Sequence, residues 1–438
     1  MSQIDAILAS THMPKMAKIT QLFEASNLDD PIAAMRQSFA ACPSAERIKP
    51  GMRIAITVGS RGIAELCNLV RCLVEEVARR GAHPFIVPAM GSHGGATAEG
   101  QKALLAGLGI DEQTVGCPVC SSMETVESGR IDNGMPVTLD KNASEADGII
   151  VFNRIKPHNS FRHSIESGLC KMLAIGLGKR PGADRCHSLG MLAIGEIIEK
   201  MAEVQLRNPR IFMGIATIEN AYDRIARVVA FTPDRLIEGE KEAQSFAKTN
   251  MPRLLLNPLD VLVVDQSGKE FSGGGIDANI TGVCGAGIVM SDALITRIAI
   301  LDLSEKSHGN AHGMGLGHVA TRRLADKIDF AATYANALTS RVMASGRMPV
   351  ILESEKLAIQ AAIYSCDNAD PGTVRIMRIP NTLHLGEAYI SESLVGEALR
   401  TPGVTVLNEP QPMLFDDSGT LLDPWRFSSL NQGERQAL

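Results

Sequence analysis

The segment 53–95 constrains the fold more than any other part of this chain. It opens on a β-rich run, Arg53–Val58 (RIAITV), which stops at the turn Gly59-Ser60-Arg61-Gly62. Ile63, Leu66, Cys67, Val70, Leu73, Val74 and Val77 then recur at helical spacing, and Gly81 supplies a C-terminal stop. A second apolar run, 85–87, ends in the loop Gly91-Ser92-His93-Gly94-Gly95. Strand, crossover helix and strand make a βαβ unit, whose strands run parallel and whose sheet is covered by helices.

The same rhythm returns downstream. Residues 148–152 (GIIVF) predict a buried strand that enters the loop 153–160, followed by a helix over 164–175 and a strand at 210–217. After Asn257-Pro258 the pattern restarts with a strand at 260–265 (DVLVVD), a glycine-rich loop at 268–282 and a strand at 293–303. Helices are expected at 311–327 and 331–341, then strands at 374–379 and 404–407. A chain of 438 residues exceeds one ordinary domain. The expectation is therefore an α/β protein of two domains, each a mostly parallel sheet flanked by helices, with the active site in the cleft between them. Residues 1–257 form the first domain and 258–407 the second. The Pro- and Asp-rich tail 408–438 is expected to pack back on the first.

Composition narrows the class of function. Apolar residues make up 45% and charged residues 21%, the balance of a soluble globular protein. A net charge of −6 argues against nucleic-acid and anionic-membrane surfaces, which need a basic face. The first residues show no basic segment followed by an unbroken apolar one, and no uncharged run reaches membrane-spanning length. The nine cysteines are odd in number and scattered, which suits free thiols in a reducing cytoplasm. Cys117 and Cys120 form a CxxC pair without a second pair at zinc-site spacing, so they read as two thiols.

Ligands of open α/β sheets bind at the carboxyl ends of strands. His93 follows the strand at 85–87 and His158 the strand at 148–152, so both are candidates for one crevice. A single loop histidine is more often a solvated or packing residue, and two at equivalent strand ends strengthen the functional reading. Lys171 sits beside the apolar stripe of Ile165, Leu169, Met172 and Leu173 and is either a snorkelling lysine or an amine held in a partly apolar pocket. Gly176-Leu177-Gly178-Lys179 lacks Walker spacing and its Ser/Thr, which excludes a triphosphatase loop. His187 stands alone after a Gly/Pro turn, one imidazole and no more than one metal ligand. His308, His312 and His318 lack the glutamate of HExxH and are flanked by glycines, so they read as loop residues.

Four segments together resemble one family: MGSHGGATAEGQ, NRIKPHNSF, SGLCKMLAIGLGKRPGADRCH and GKEFSGGGIDANITG are similar, in order, to proteins of the nickel-dependent lactate racemase family. The resemblance is most specific at the PH dipeptide, the SG-x-x-K segment and the separation of Lys171 from His187. It makes residues 1–257 the cofactor-binding domain. It implies a nickel pincer nucleotide tethered to Lys171, with His187 as the remaining nickel ligand and His93 and His158 as acid/base groups. Arg61 matches the arginine after the family's first strand, though Gly59 and Ser60 stand where the family carries aspartate and threonine. Ser60, Arg61 and, from the glycine-rich loop, Lys269 are the implied cofactor-side contacts. The stretch after the PH (NSFRHSIESGL) is longer than in lactate racemase.

The resemblance implies an isomerase: a racemase or epimerase of a lactate-like or sugar 2-hydroxy acid, working by reversible hydride transfer. Loss of the Cα hydrogen as hydride avoids a carbanion beside a carboxylate, and the hydroxyl proton leaves to a histidine that titrates near neutrality. One acid/base group is needed on each face of the planar ketone, hence two histidines. The implied partners are the substrate and the cofactor-synthesis enzymes, and a homo-oligomer is compatible with all of this. The alternatives are another hydride-transferring oxidoreductase using the same pocket, or a non-catalytic cofactor-binding homologue. A mere carrier needs Lys171 and His187 but not His93 and His158.

Overall fold

The computed structural model describes residues 3–368, 370, 372–422 and 427. The chain divides into two compact units, one of residues 24–251 and the other of residues 1–23 with 252–438. The fold is α/β in both. The division differs from that read in the sequence: the first 23 residues leave the unit that the following 228 form. Strand β1 (Met16–Gln21) pairs with strands from the far end of the chain. The described part of the tail also belongs to that unit, Gln411 bridging to Met16 and Phe427 stacking on Tyr389, while 423–426 and 428–438 lie outside the described residues.

The unit 24–251 is built on β2 (Arg53–Val58), β3 (His83–Pro88), the hairpin of β4 (Thr125–Arg130) and β5 (Pro136–Asp140), β6 (Gly148–Arg154), β7 (Ile211–Glu219) and β8 (Ile225–Phe231). Its main sheet has the order β3-β2-β6-β7-β8; only the β7–β8 pair is antiparallel. Helix Leu66–Ala78 follows β2 and buries Leu66, Val70, Leu73, Val74 and Val77 of the stripe that the spacing predicts, and Leu69 beside them. That stripe packs on Ile54, Ile56 and Val58 of β2 and on Met35 and Phe39 of helix Pro31–Ala41. From β2 the chain moves outward to β3, then returns past β2 to β6. The sheet therefore reverses winding between β2 and β6, where the diverging connections leave a crevice at the carboxyl ends.

The other unit adds β9 (Leu259–Val264), β10 (Ile295–Ile300), β11 (Val319–Thr321), β12 (Val350–Leu352), β13 (Ile376–Ile379), β14 (Glu387–Ser391) and β15 (Val404–Val406). The sheet order is β12-β11-β10-β9-β13-β14-β1-β15, parallel from β12 to β13 and antiparallel beyond. Leu262 and Val264 of β9 face one apolar layer, Val261 and Val263 the other, so the central strand is covered on both sides. The helix expected at 311–327 is absent. A single turn, Met314–Leu316, is followed by β11 and a short helix, Arg322–Asp326, because Val319 and Ala320 complete the parallel ladder to β10. No helix among the described residues is long and apolar enough to cross a membrane.

Candidate active site

Three loops leave the carboxyl ends of β2, β3 and β6, and each carries candidates. The turn after β2 holds Ser60 and Arg61. It is anchored where the amide of Ala64 donates to Glu219 Oε1 at 2.7 Å, and Glu219 also pairs with Arg154 at the end of β6. The Arg61 guanidinium is drawn below its ordinary value by desolvation and by Arg154. The loop after β3 holds His93, whose Nδ1 meets Ser60 Oγ at 2.5 Å. This loop bends at Gly91 (φ +60), where a Cβ would stand 3.0 Å from Ile175 Cγ2, so glycine is needed both for the bend and for close packing.

The loop after β6 is closed by the bridge between Lys156 and Ser167, and Glu166 organises it from inside. Glu166 is fully buried; its carboxylate accepts the His158 amide at 2.7 Å and pairs with Arg162 at 3.1 Å and Lys248 at 2.7 Å. His158 is half-buried, its ring 4.4 Å from that of Phe161, and its Nδ1 accepts the Ser160 amide at 3.1 Å. Burial holds its imidazole well below the ordinary value, with further lowering by Lys171, His187, Arg162 and Lys156.

Lys171 ends the short turn Leu169–Lys171, entered at Gly168, where a Cβ would fall 2.2 Å from Glu240 Oε1. Glu240 accepts the Cys170 amide at 2.7 Å, and burial raises its carboxyl to about 7. The helix predicted over 164–175 thus begins only at Leu169, since residues 164–168 are taken up by the loop around Glu166. It continues as a π-turn, Met172–Gly176, a distortion frequent at functional sites. The Lys171 ammonium is lowered to about 8 by desolvation and by Arg61, against the opposite pull of Cys186 and Glu166. His187 lies in helix Lys179–Ser188. Its neighbour Cys186 is pushed up to about 12 by burial and stays a thiol.

His158 therefore interacts electrostatically with both Lys171 and His187, Lys171 with Arg61, and Ser60 with His93. Six of the seven candidates are gathered at the carboxyl end of one sheet, around its reversal point. Lys269 belongs to the other unit, where its ammonium donates to Gly273 O and Asn336 Oδ1, each at 2.5 Å, and ties the glycine-rich loop to helix Phe330–Ser340. The three clustered histidines of that unit have separate local roles. His308 sits in a left-handed turn, His318 Nδ1 accepts the Ile298 amide at 3.0 Å, and His312 is buried. All nine cysteines are free thiols, with Cys117 raised to about 12 by burial and by Cys120. Among the described residues, no three His, Cys, Asp or Glu side chains stand together as a metal site.

Residues 9–193 match the profile of the lactate racemase N-terminal domain. That stretch is somewhat less than half of the chain, and it is similar to the domain rather than a match along the whole length. No curated protein matches the chain by sequence. Among solved structures it is similar to the lactate racemase apoprotein from Thermoanaerobacterium thermosaccharolyticum, with a TM-score of 0.52 and 13% identity over 83% of this chain and 94% of that one. At that identity the likeness bears on the fold. The matched stretch takes in Ser60, Arg61, His93, His158, Lys171 and His187, together with Glu166, whose part in the site the sequence pattern did not disclose. The sequence offered only a single acid in the short segment HSIESG, with nothing to mark it as buried.

Proposed function

We propose that the protein is a racemase or epimerase of a 2-hydroxy acid, lactate-like or a sugar acid, that works with a nickel pincer nucleotide tethered to Lys171. The observation that carries this reading is the grouping of Lys171, His158 and His187 beside the crevice between β2 and β6. Two features fit the group. Lys171 is an amine lowered to about 8 with no salt bridge among the described residues, which suits acyl attachment. Among the described residues His187 belongs to no group of three or more His, Cys, Asp or Glu side chains, so a bound metal would draw donors from the cofactor. When bound, that cofactor supplies the acceptor for the hydrogen leaving the substrate Cα.

The chain's own residues then handle charge and protons. Arg61 offers the positive charge that a carboxylate or a cofactor phosphate needs. His93, with Nδ1 engaged by Ser60, would accept the substrate hydroxyl proton at Nε2. His158, whose Nδ1 accepts the Ser160 amide, carries its proton on Nε2; it would have to release that amide and hold its proton on Nδ1 before Nε2 could act as a base. An acid/base on each face is what interconversion through a planar ketone requires. The polar residues Asn159, Ser160 and Arg162 beside His158 would suit a substrate richer in hydroxyls than lactate.

The test is to co-produce the full chain with the cofactor-synthesis enzymes. Added mass on Lys171 and bound nickel are expected, as is interconversion of stereoisomers in a panel of 2-hydroxy acids. His93→Ala and His158→Ala should each abolish interconversion and keep nickel, while His187→Ala should lose nickel. Absence of nickel and of added mass would overturn the proposal; cofactor without interconversion would favour a carrier.

A further inference from the structure

A second set of side chains, none of them assigned a role above, lies beneath the His93 loop. Lys179, Asp140 and Gln101 are all fully buried. The Lys179 ammonium pairs with Asp140 at 3.1 Å and donates to the Pro88 carbonyl at 2.5 Å and to Gln101 Oε1 at 2.9 Å. Asp140, the last residue of β5, in turn accepts the Ala143 amide at 2.9 Å. The Gln101 amide group, its oxygen held by Lys179, donates from Nε2 to the carbonyls of Gly91 at 2.9 Å and His93 at 3.3 Å. Lys179 reaches this place from a left-handed backbone (φ 53) at the first residue of the helix that carries His187.

Burying an ammonium is costly unless it is paired and hydrogen-bonded. Of its three partners here, Asp140 at the end of β5 supplies the charge, while the Pro88 carbonyl belongs to the end of β3 and Gln101 leads to the His93 loop. Burial lowers Lys179 and raises Asp140, so the pair is retained against its own desolvation. A network built only for stability could use apolar residues of the same volume.

We infer that Lys179 and Gln101 are positioning residues that hold the His93 loop in register with the His187 helix, so that an acid/base imidazole and the residue assigned to the metal move as one body. The inference rests on the proposed function for its catalytic meaning, not for its structural content. Gln101 is oriented by Lys179: with its oxygen pinned, both N–H groups point at the loop. Gln101→Glu keeps an acceptor for Lys179, and even a stronger one, but removes both donors to Gly91 and His93.

The experiment uses the full-length protein in two arms. In the first, amide hydrogen exchange of residues 91–97 is followed in wild type, Gln101→Glu, Gln101→Met and Lys179→Met. Gln101→Glu should stay folded with a lowered unfolding midpoint, and should speed exchange at 91–97 by about tenfold or more beyond the change in the other protected segments. In the second, the nickel-loaded proteins are compared: kcat should fall by about tenfold to a hundredfold, with KM and nickel content unchanged. Lys179→Met is expected to lose more stability, which is why Gln101→Glu decides the matter. Exchange at 91–97 that rises no more than in the other protected segments of a folded Gln101→Glu protein overturns the inference, as does accelerated exchange with an unchanged kcat. If wild type itself proves inactive, the proposed function fails and the exchange arm alone decides the positioning claim.

Discussion

The amide of Ser160 donates to Nδ1 of His158 across 3.1 Å, two residues along the same loop. This bond selects the neutral tautomer with its proton on Nε2, and it competes with protonation of the ring. Burial and the charges of Lys171 and His187 act in the same direction. Removing the Lys171 charge should therefore raise the His158 pKa. Lys171→Met, followed by imidazole NMR titration, is expected to move it upward; an unchanged or lower value would contradict the assigned neighbourhood. A cofactor tether that removes the Lys171 charge would likewise bring His158 closer to neutrality.

Lys171 should be the most reactive lysine in the chain. With its ammonium lowered to about 8, half of it is free amine at pH 8. That is roughly a hundredfold more than for a lysine at its ordinary value. Brief acylation at pH 8 with peptide mapping should label Lys171 ahead of exposed lysines such as Lys102 and Lys141, provided that the reagent is small enough to reach a half-buried amine.

Glu166 offers a stability test that is separate from catalysis. Glu166→Ala would leave Arg162, Lys248 and the His158 amide without their shared acceptor. A loss of about 3 kcal/mol is expected, read from the urea midpoint. Glu166→Gln keeps an acceptor for the amide and should cost less.

His312 sets a pH dependence in the other unit. Burial, and then Lys269, push its imidazole down to about 4 from 6.5. Below pH 6.5 the unfolded chain takes up a proton that the folded one refuses, so stability is intact above 6.5 and is lost as pH falls toward 4. The loss amounts to about 3 kcal/mol at the acid end. Equilibrium urea unfolding between pH 4 and 7 should show this slope, and His312→Asn should flatten it.

What could be read in advance follows from locality. Strands β2, β3, β6 and β9 declare themselves as short apolar runs bounded by glycine or polar turns, and the stripe from Leu66 to Val77 is a periodicity of one helix. His93 and His158 stood out because each follows such a run directly, and Lys171 and His187 because of family spacing. Glu166, Gln101 and Lys179 did not stand out, since their partners lie up to 91 residues away and nothing local distinguishes a buried charge from a solvated one. The helix expected at 311–327 failed for a related reason: the short run Val319–Thr321 is a strand only because β10 and β12 lie on either side of it. Strand β1 is likewise defined by β14 and β15, nearly four hundred residues downstream.

That pairing of β1 has a consequence for how the polypeptide is made. Residues 24–251 are an insertion within the other unit, whose sheet needs its opening strand and its closing ones at once. During synthesis the inserted unit has all its residues outside the ribosome long before β14 emerges, so Met16–Gln21 must wait, unpaired, until translation is almost complete. Removing the first 23 residues would excise an interior strand of an eight-stranded sheet, whereas excising 24–251 and rejoining the ends would leave every strand of that sheet in place.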